Sequence, residues 1–564
     1  MRQLIECVPN FSEGRNMDII KQITDEIESV DGIKLLDVDP GAATNRTVVT
    51  FVGEPKPVMD AAIKGMKKAK ELIDMSKHSG AHPRFGATDV CPLVPVANIS
   101  MEETIAYAHQ LAERAGKELN YPIYCYEFAA KSPERKNLAY VRSGEYEALK
   151  KKLQDKEWTP DYGPATFVPE AGATAISARN FLVAFNVNLN TTSTRRANAI
   201  AFDVRERGRV KREGHPITGK AVLDQNGKKV MTPGSLKSVK AIGWFIEEYG
   251  IAQISMNLTD ISVTSVHKAY DDVFEKALAR GIRVSGSELV GVIPLEAMLE
   301  AGRYFLIKQN RSLGVSNQEL IKIAVKSMGL DDLKPFDPRK NIIEYLLEDE
   351  NDTKLIDLNL SEFADETASE SPAPGGGSIS AYVGALGISL GTMVANLSAH
   401  KAGVKWEDQC DKFSEQAVKG QKLKDQLVHL VDEDTNAFNK IMDAIRLPKA
   451  SDEEKKARIQ AIEDASKYAI EVPFMVMQKS LESMQVIKAM AEYGNPNSVS
   501  DAGVGALCAR TAVMGAFLNV KINAADLEDK EYVEKMLNHG AEIEAEANAL
   551  EQEILKITND KING

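Results

Sequence analysis

Cysteine is scarce in this chain, and it has no surplus of positive charge. Its 564 residues hold five cysteines, Cys7, Cys91, Cys125, Cys410 and Cys508, far apart and never in a CxxC pair. No disulfide framework or thiolate zinc site follows, and a reducing, cytoplasmic compartment is expected. Lys and Arg number 69 against 82 Asp and Glu, for a formal net charge of -13. That balance argues against a dedicated nucleic-acid binder, which carries a basic surplus, and leaves small-molecule chemistry open. The opening MRQLIECVPNFSEGRN has none of the apolar core a secretory signal needs. Long apolar runs are rare too. Residues 379–397 are nineteen without a charge, close to the about 20 apolar residues of a spanning helix. The stretch is rich in Gly, Ala and Ser and lacks flanking aromatic belts, so a buried helix is expected rather than a membrane span. The remaining composition, 43% hydrophobic and 27% charged, predicts folded domains, about three or four at this length.

The first third alternates strand and helix signals. Residues 4–9, 33–38 and 46–53 are short β-branched runs bounded by Gly and Pro, while 17–30 and 58–75 show apolar residues at helical spacing. A Gly- and Pro-dotted loop, SKHSGAHPRFGATDVCP, spans 76–92. Residues 158–178 lose periodicity, and their prolines and glycines exclude a long regular element. Segments 46–73 and 253–282 share a plan of strand, polar break and Ala/Lys-rich helix. Two α+β halves in tandem would produce that, as would coincidence among common elements. Past residue 325 strand signals nearly vanish. KPFDPRK (334–340) reads as a linker, and 363–397, 406–445, 452–491 and 500–550 read as helices of a bundle. The first of these sets small residues four apart, Ser380/Gly384 and Gly387/Gly391/Ala395. Either tight packing inside the bundle or a dimer seam would use that spacing.

Among single residues, His82 in GAHPRFGATD stands out. It lies in a loop, where catalytic groups concentrate, and imidazole can take and return a proton near neutral pH. Arg84 and Asp89 nearby could orient an anionic substrate or the ring, although an ordinary satisfied histidine fits as well. GHPITGKA (214–221) imitates a phosphate loop, but Ala221 follows Lys220 where a hydroxyl is needed, so nucleotide triphosphate binding is rejected. SPAPGGGSIS (371–380) runs three glycines into a helix, a start at which bare N–H groups bind anions, or else a hinge. In NPNSVSDAG, Ser500 or Asp501 is expected to cap the helix that follows.

At this point the residues meet a known family. CVPNFSEGRN, SGAHPRFGATDVCPLVPV, GPATFVPEAGATAISARNFLVAFNVNL and PGSLKSVKAIGW resemble glutamate formimidoyltransferases, folate-dependent enzymes of histidine breakdown. FADETASESPAPGGGSISAYVGALGISLGTMVANLS, with NPNSVSDAG, resembles formimidoyltetrahydrofolate cyclodeaminases. Together they cover nearly the whole chain, with one departure, a stretch at 212–232 longer than the family's turn. The resemblance implies two α+β subdomains of βαβ, ferredoxin-like type, at 1–180 and 181–326, a linker at 327–338 and an all-α helical-bundle domain at 339–564. It places the transferase's acid/base on His82 and the cyclodeaminase's acid on Asp408, counted along from PGGGS. It places folate contacts on Gly163, Pro164, Ala165, Thr166, Phe167, Val168, Pro169, Glu170, Ala171 and Gly172, and on Pro233, Gly234, Ser235, Leu236 and Lys237. Gly375, Gly376, Gly377 and Ser378 would serve the second folate pocket, and Arg84, Arg179 or Lys237 would clamp substrate carboxylates. The implied partners are N-formimidoyl-L-glutamate and polyglutamylated tetrahydrofolate as cosubstrate, with no metal, no nucleic acid and a homo-oligomeric assembly. Two alternatives stay open: a helical domain that acts as a methenyltetrahydrofolate cyclohydrolase, and a non-catalytic folate-binding scaffold.

Overall fold

The computed structural model describes residues 3–42, 45–80, 84–214, 219–247, 249–347, 354–399, 410–525 and 527–563. The chain divides into two compact units, Met1–Ala301 with Ala324–Glu348, and Gly302–Ile323 with Asp349–Gly564. The division is not the linear one expected, because 302–323 joins the helical unit and the expected linker at 327–338 lies in the first. Local bonds explain the first point. Leu313 N–H donates to Ser414 Oγ at 3.0 Å, and Asn396 and Gln421 both donate to the Gly314 carbonyl. Gly314 lies so close to Ala417 that an added Cβ would sit 2.1 Å from its methyl. A composition shift marks where strands stop, not which core a segment joins.

The first half of unit 1 runs β1 (Leu4–Cys7), β2 (Asn10–Phe11), α1 (Met17–Glu28), β3 (Lys34–Gly41), β4 (Arg46–Gly53), α2 (Pro55–Leu72), β5 (Thr88–Ala97), α3 (Met101–Leu119) and β6 (Ile123–Glu127). It continues through α4 (Leu138–Val141) and α5 (Glu145–Lys152) to β7 (Thr174–Ala178). Among the described residues these strands form a seven-stranded sheet, ordered β3-β4-β1/β2-β5-β7-β6. Only β5, β7 and β6 run parallel. Period-two alternation sends Ile5 and Cys7 into the core with α1 and α2 and Glu6 to the opposite face. Asn16 caps α1 by accepting from the Asp18 and Ile19 N–H groups, and Ile20, Ile23, Thr24 and Ile27 bury one face at helical spacing. Each buried isoleucine contributes roughly 2 kcal/mol relative to exposure.

β7 lies inside the stretch that loses periodicity. All five of its residues are buried, and a parallel strand covered on both faces has no polar alternation to announce it.

The second half runs β8 (Val183–Leu189), α6 (Thr194–Val204), β9 (Arg209–Val210), β10 (Arg212–Glu213), β11 (Lys220–Ala221), β12 (Met231–Thr232), β13 (Val239–Ile246), β14 (Ile251–Leu258), α7 (Val266–Leu278) and β15 (Val284–Val290). Its sheet is antiparallel, ordered β13-β14-β8-β15. Setting the small ribbons and the short β2 aside, the second half runs β-α-β-β-α-β, and the first half opens with the same order before adding α3, β6, α4, α5 and β7. The similar segments 46–73 and 253–282 are β4–α2 and β14–α7, the third strand and second helix of each half. The long stretch at 212–232 contributes two short ribbons, β9 with β12 and β10 with β11. Residues 215–218 of the imitation phosphate loop lie outside the described residues.

Helices α8 (Leu295–Lys308) and α9 (Asn317–Met328) follow, then α10 (Pro338–Asn341) and α11 (Ile343–Leu346). Unit 2 is built from α12 (Leu360–Thr367), α13 (Gly376–Ser398), α14 (Cys410–Arg446), α15 (Asp452–Tyr493), α16 (Val499–Ala524) and α17 (Lys530–Asn563). The uncharged stretch is α13, a helix long and apolar enough to cross a membrane, as is the stretch Pro496–Ala524. Within the unit the small residues of α13 are used for packing. An added Cβ at Gly384 would meet Ser480 Oγ at 2.7 Å, at Gly387 the Gly505 carbonyl at 2.8 Å, and at Gly391 Ile487 at 2.9 Å. The packing reading of that spacing therefore holds, and the face is not free for a second copy. Ser500 and Asp501 do not cap α16. Its N-cap is Ser498, without a side-chain bond, and Asp501 lies in the first turn, where a carboxylate favours the positive end of the helix.

Candidate active sites

In unit 1 the structure ties together two stretches that the resemblance singled out, the imidazole loop and residues 163–172. His82 lies outside the described residues, but both flanks of its loop are described. The Met75 N–H donates to the Glu170 carbonyl at 3.0 Å, Ala87 N–H to Ala171 O at 2.8 Å, and Ala173 N–H to Phe85 O at 3.1 Å. Tyr146 Oη donates to Pro169 O at 2.7 Å, and its ring packs against Phe167 with centroids 5.7 Å apart. The stretch 163–172 is thus laced to the residues that enter and leave the imidazole loop. Two glycines make this possible. Gly172 has φ +68°, and a Cβ there would sit 2.4 Å from Phe85 O; one at Gly86 would sit 2.2 Å from Ala173 O. His78 Nε2 lies 2.9 Å from Asn45 O, and Asn45 Nδ2 donates to Ser79 O at 3.0 Å, which anchors the loop's first residues.

The expected anion clamps divide. Arg84 donates to the His78 carbonyl and to Glu147 and lies over the Tyr146 ring at 5.3 Å, so it braces the loop. Lys237 is exposed, and its backbone carbonyl accepts from Thr264 Oγ1 at 2.8 Å. The 233–237 stretch is held at the end of α6: Ser235 and Leu236 N–H groups donate to Asp203 O and Val204 O, both at 2.9 Å. Arg179, just past β7, follows Ala178 of the α1/α2 core and so lies by alternation on the sheet's other face, against which α4 and α5 pack. There it faces Glu6, Tyr126 and Glu127, and Lys240 of β13 also acts on Glu127.

That face carries buried charged groups, of which the sequence singled out Asp89 alone. Glu6 sits mid-strand, paired in register with Val52 and Val94, and is 4% exposed. Burial pushes its carboxyl up to about 7, with Arg179 opposing the shift. Asp89 is almost wholly buried and accepts from both Arg46 and Arg142. The only hint of Glu6 in the sequence is one acid in the apolar run LIECVP. Arg46, Asp89 and Arg142 come from separate elements, and no local pattern joins them.

Unit 2 holds a second constellation. The glycine run enters α13 as expected, and what meets it is a carboxylate of the chain itself. Ser378 N–H donates to Asp434 Oδ2 at 2.9 Å, and Ser378 Oγ lies 3.1 Å from the same oxygen and 2.9 Å from Val431 O. A Cβ at Gly377 would lie 2.1 Å from Asp434 Oδ1, so any larger residue there would displace that carboxylate. Burial raises the Asp434 carboxyl above the usual range, and the two Ser378 bonds oppose it. Asp408 lies outside the described residues. A sequence signal for Asp434 existed: Leu423, Leu427, Leu430, Val431 and Ala437 are the buried stripe of α14, and Asp434 stands between them at helical spacing. Among the described residues, no group of three or more His, Cys, Asp or Glu could hold a metal ion.

Comparison with known proteins places this architecture. Three family descriptions match in chain order: "Formiminotransferase domain, N-terminal subdomain" over 4–179, "Formiminotransferase domain" over 184–348 and "Formiminotransferase-cyclodeaminase" over 359–542. They define a transferase followed by a helical region. The chain is 43% identical over 534 residues to the formimidoyltransferase-cyclodeaminase of Gallus gallus, covering 94% of each protein. It is 40% identical to the glutamate formimidoyltransferase of Streptococcus pyogenes serotype M1, over 54% of this chain and 94% of that one. It is 36% identical to the methenyltetrahydrofolate cyclohydrolase of Methylorubrum extorquens, over 36% of this chain and 97% of that one. The chain belongs to the formimidoyltransferase-cyclodeaminase family.

Proposed function

We propose that the chain performs two consecutive reactions on one folate. In the first, N5 of tetrahydrofolate attacks the formimidoyl carbon of N-formimidoyl-L-glutamate. His82 takes the N5 proton from the tetrahedral intermediate and returns it to the departing glutamate nitrogen. In the second, N10 attacks the same carbon, ammonia leaves and 5,10-methenyltetrahydrofolate forms. The resemblance gives the acid of that step to Asp408, which lies outside the described residues; among the described residues Asp434 suits it. It sits half-buried beside a helix start, and its raised carboxyl can hold the proton that ammonia carries away. The observation that carries the transferase reading is the set of hydrogen bonds between 163–172 and both flanks of the His82 loop. A pterin lying against the first stretch would present N5 to the second.

The test follows methenyltetrahydrofolate by absorbance, starting from formimidoylglutamate and tetrahydrofolate. H82A should abolish transfer and leave deamination of supplied 5-formimidoyltetrahydrofolate intact; D434N should do the reverse. Equal loss of both activities in either folded variant would refute separate sites. The match to a cyclohydrolase supports a second reading, in which the helical domain opens a methenyl bridge with water. Ammonia release measured in the same assay separates the two, since hydrolysis produces none.

The finer expectations belong to this reading. The β-α-β-β-α-β order of the second half, with which the first half also opens, supports the ferredoxin-like description. Polyglutamylated folate, a cytoplasmic setting and catalysis without a metal follow from the family resemblance. A homo-oligomer is supported by large apolar side chains left exposed on α13 and α16, among them Leu386, Leu397, Leu518 and Ile522. Sedimentation at micromolar concentration reads its mass.

A further inference from the structure

Trp244 is a large apolar side chain left 40% exposed near the end of β13. Strand alternation decides which way it points. A Cβ at Gly243 would lie 2.3 Å from the Asn198 nitrogen of α6. Trp244 therefore stands on the sheet's other face, in one exposed stripe with Lys240 and Ile242. The expected folate stretch, 233–237, leads straight into this strand.

The indole is held by a row of buried amides. In register, Trp244 stands beside Gln253 of β14, Gln253 beside Asn188 of β8, and Asn188 beside Gly286 of β15. Trp244 Nε1 donates to Gln253 Oε1 at 3.1 Å, and Gln253 Nε2 donates to Asn188 Oδ1 at 2.8 Å. Gly286 lets Asp332 close the row, since a Cβ there would lie 2.5 Å from the Asp332 side chain, and Asn188 Nδ2 reaches Asp332 Oδ2 at 3.4 Å. Glu288 braces the row by accepting from Gln253 at 3.3 Å and from Asn186 at 3.2 Å. Gln253 and Asn188 are wholly buried. Amides at that depth are costly unless bonded, and a satisfied network fixes its members in place. Flipping the Gln253 amide would set its NH2 group against the indole N–H. The half-exposed indole is thus a rigid plate, and a surface tryptophan that met only water would need no such support.

We propose that Trp244 is the plate on which the aromatic part of the folate cosubstrate stacks, with Gln253 as the residue that positions it. The inference rests on the folate reading of unit 1 and deepens it. Planar rings stack on an indole face, and such stacking tolerates different rings. Ser255 and Asn257 of β14 add a hydroxyl and an amide to the same face. Lys240 lies about 14 Å along the strand from Trp244, at four residues of extended chain. Folate carries planar rings at one end and carboxylates at the other, the order of plate and cation on this stripe. Lys240 also acts on Glu127 of β6, so that end of the stripe faces the first half of unit 1. The polar groups around the plate argue against a second copy of the chain as its occupant, because the core of a subunit interface is depleted of charge.

The test uses the full-length chain and two variants. W244L removes the ring and keeps apolar bulk, whereas W244F keeps a smaller ring. In transfer, the KM for tetrahydrofolate should rise about tenfold or more in W244L, the size expected when a stacked ring is lost, and stay within about threefold in W244F. The KM for formimidoylglutamate should stay within about twofold in both. An unchanged KM for tetrahydrofolate in W244L, an equal rise in both constants, or W244F as impaired as W244L would overturn the proposal. Sedimentation of W244L as a smaller species, with its KM restored at higher protein concentration, would assign the face to a second copy and overturn it too. A measurement on the intact plate covers the case of a W244L chain that does not fold. The sequence holds three tryptophans, so W158F/W406F leaves Trp244 as the sole indole. Saturating tetrahydrofolate should cut acrylamide quenching of that indole about twofold or more, as a stacked ring covers its face, while formimidoylglutamate alone should not. Undiminished quenching in a chain that still transfers would overturn the plate and leave the functional reading standing. Shielding by folate in a chain that transfers nothing would do the reverse.

Discussion

Replacing Glu6 by Gln should make unit 1 more stable, and by an amount that depends on pH. The folded carboxyl titrates at about 7, against 4.5 for an unperturbed glutamate. A rise of that size is worth about 3 kcal/mol at about 1.4 kcal/mol per pH unit. The sign follows from proton counting. Between the two values the unfolded chain has released the proton and the folded chain still holds it. Stability therefore falls as pH rises from about 4.5 to about 7 and levels off above that. Burial of the charged form, only partly offset by Arg179, is the cause. E6Q removes the titration and keeps the shape. The variant should match wild type near pH 4.5 and exceed it by up to about 3 kcal/mol at pH 8. Amide exchange of a peptide covering residues 3–14, read by mass spectrometry at matched intrinsic rates, reports opening of β1 directly. A stability difference that stays constant from pH 5 to pH 8 would show that Glu6 is ionised throughout and refute the argument.

Two further outcomes concern the helical unit. G377A forces a methyl against Asp434 Oδ1, where it would lie 2.1 Å away. Deamination should fall on the order of a hundredfold, the low end of what a misplaced general acid costs, with transfer unchanged; unaltered deamination would mean that Asp434 is not the acid. G387V sets a branched side chain against the Gly505 carbonyl, 2.8 Å from the Cβ position. It should lower the melting temperature of unit 2 and cost about 1–3 kcal/mol by overpacking; a wild-type melting curve would mean that α13 and α16 are not in contact there.

How much of this was legible in the sequence depends on how far apart the partners are. The strands and helices of the first half follow from local periodicity, as does the helical second unit. β7 did not show, because a short strand buried on both faces looks like any small-residue loop. The placement of 302–323 in the helical unit rests on Gly314 meeting Ala417, a contact across about a hundred residues. The folate stretch and the imidazole loop were each recognised by resemblance, but their hydrogen bonds to one another needed coordinates.

Asp434 and Asp89 show the same limit from two sides. Asp434 was readable in principle. An acid standing where α14 otherwise places Leu427, Leu430 and Val431 must either be neutral or be answered by a donor, and the glycine run supplies one through Ser378. Asp408, reached by counting forward from PGGGS, lies outside the described residues, and distance along a chain does not say which face of a later helix turns inward. Asp89 was noticed for its closeness to His82 and assigned a possible role with the ring. The fold gives it two arginines from β4 and from the turn after α4. A lone aspartate beside a histidine suggests an orienting carboxylate, whereas the fold engages this one with two buried guanidiniums brought from elsewhere in the chain.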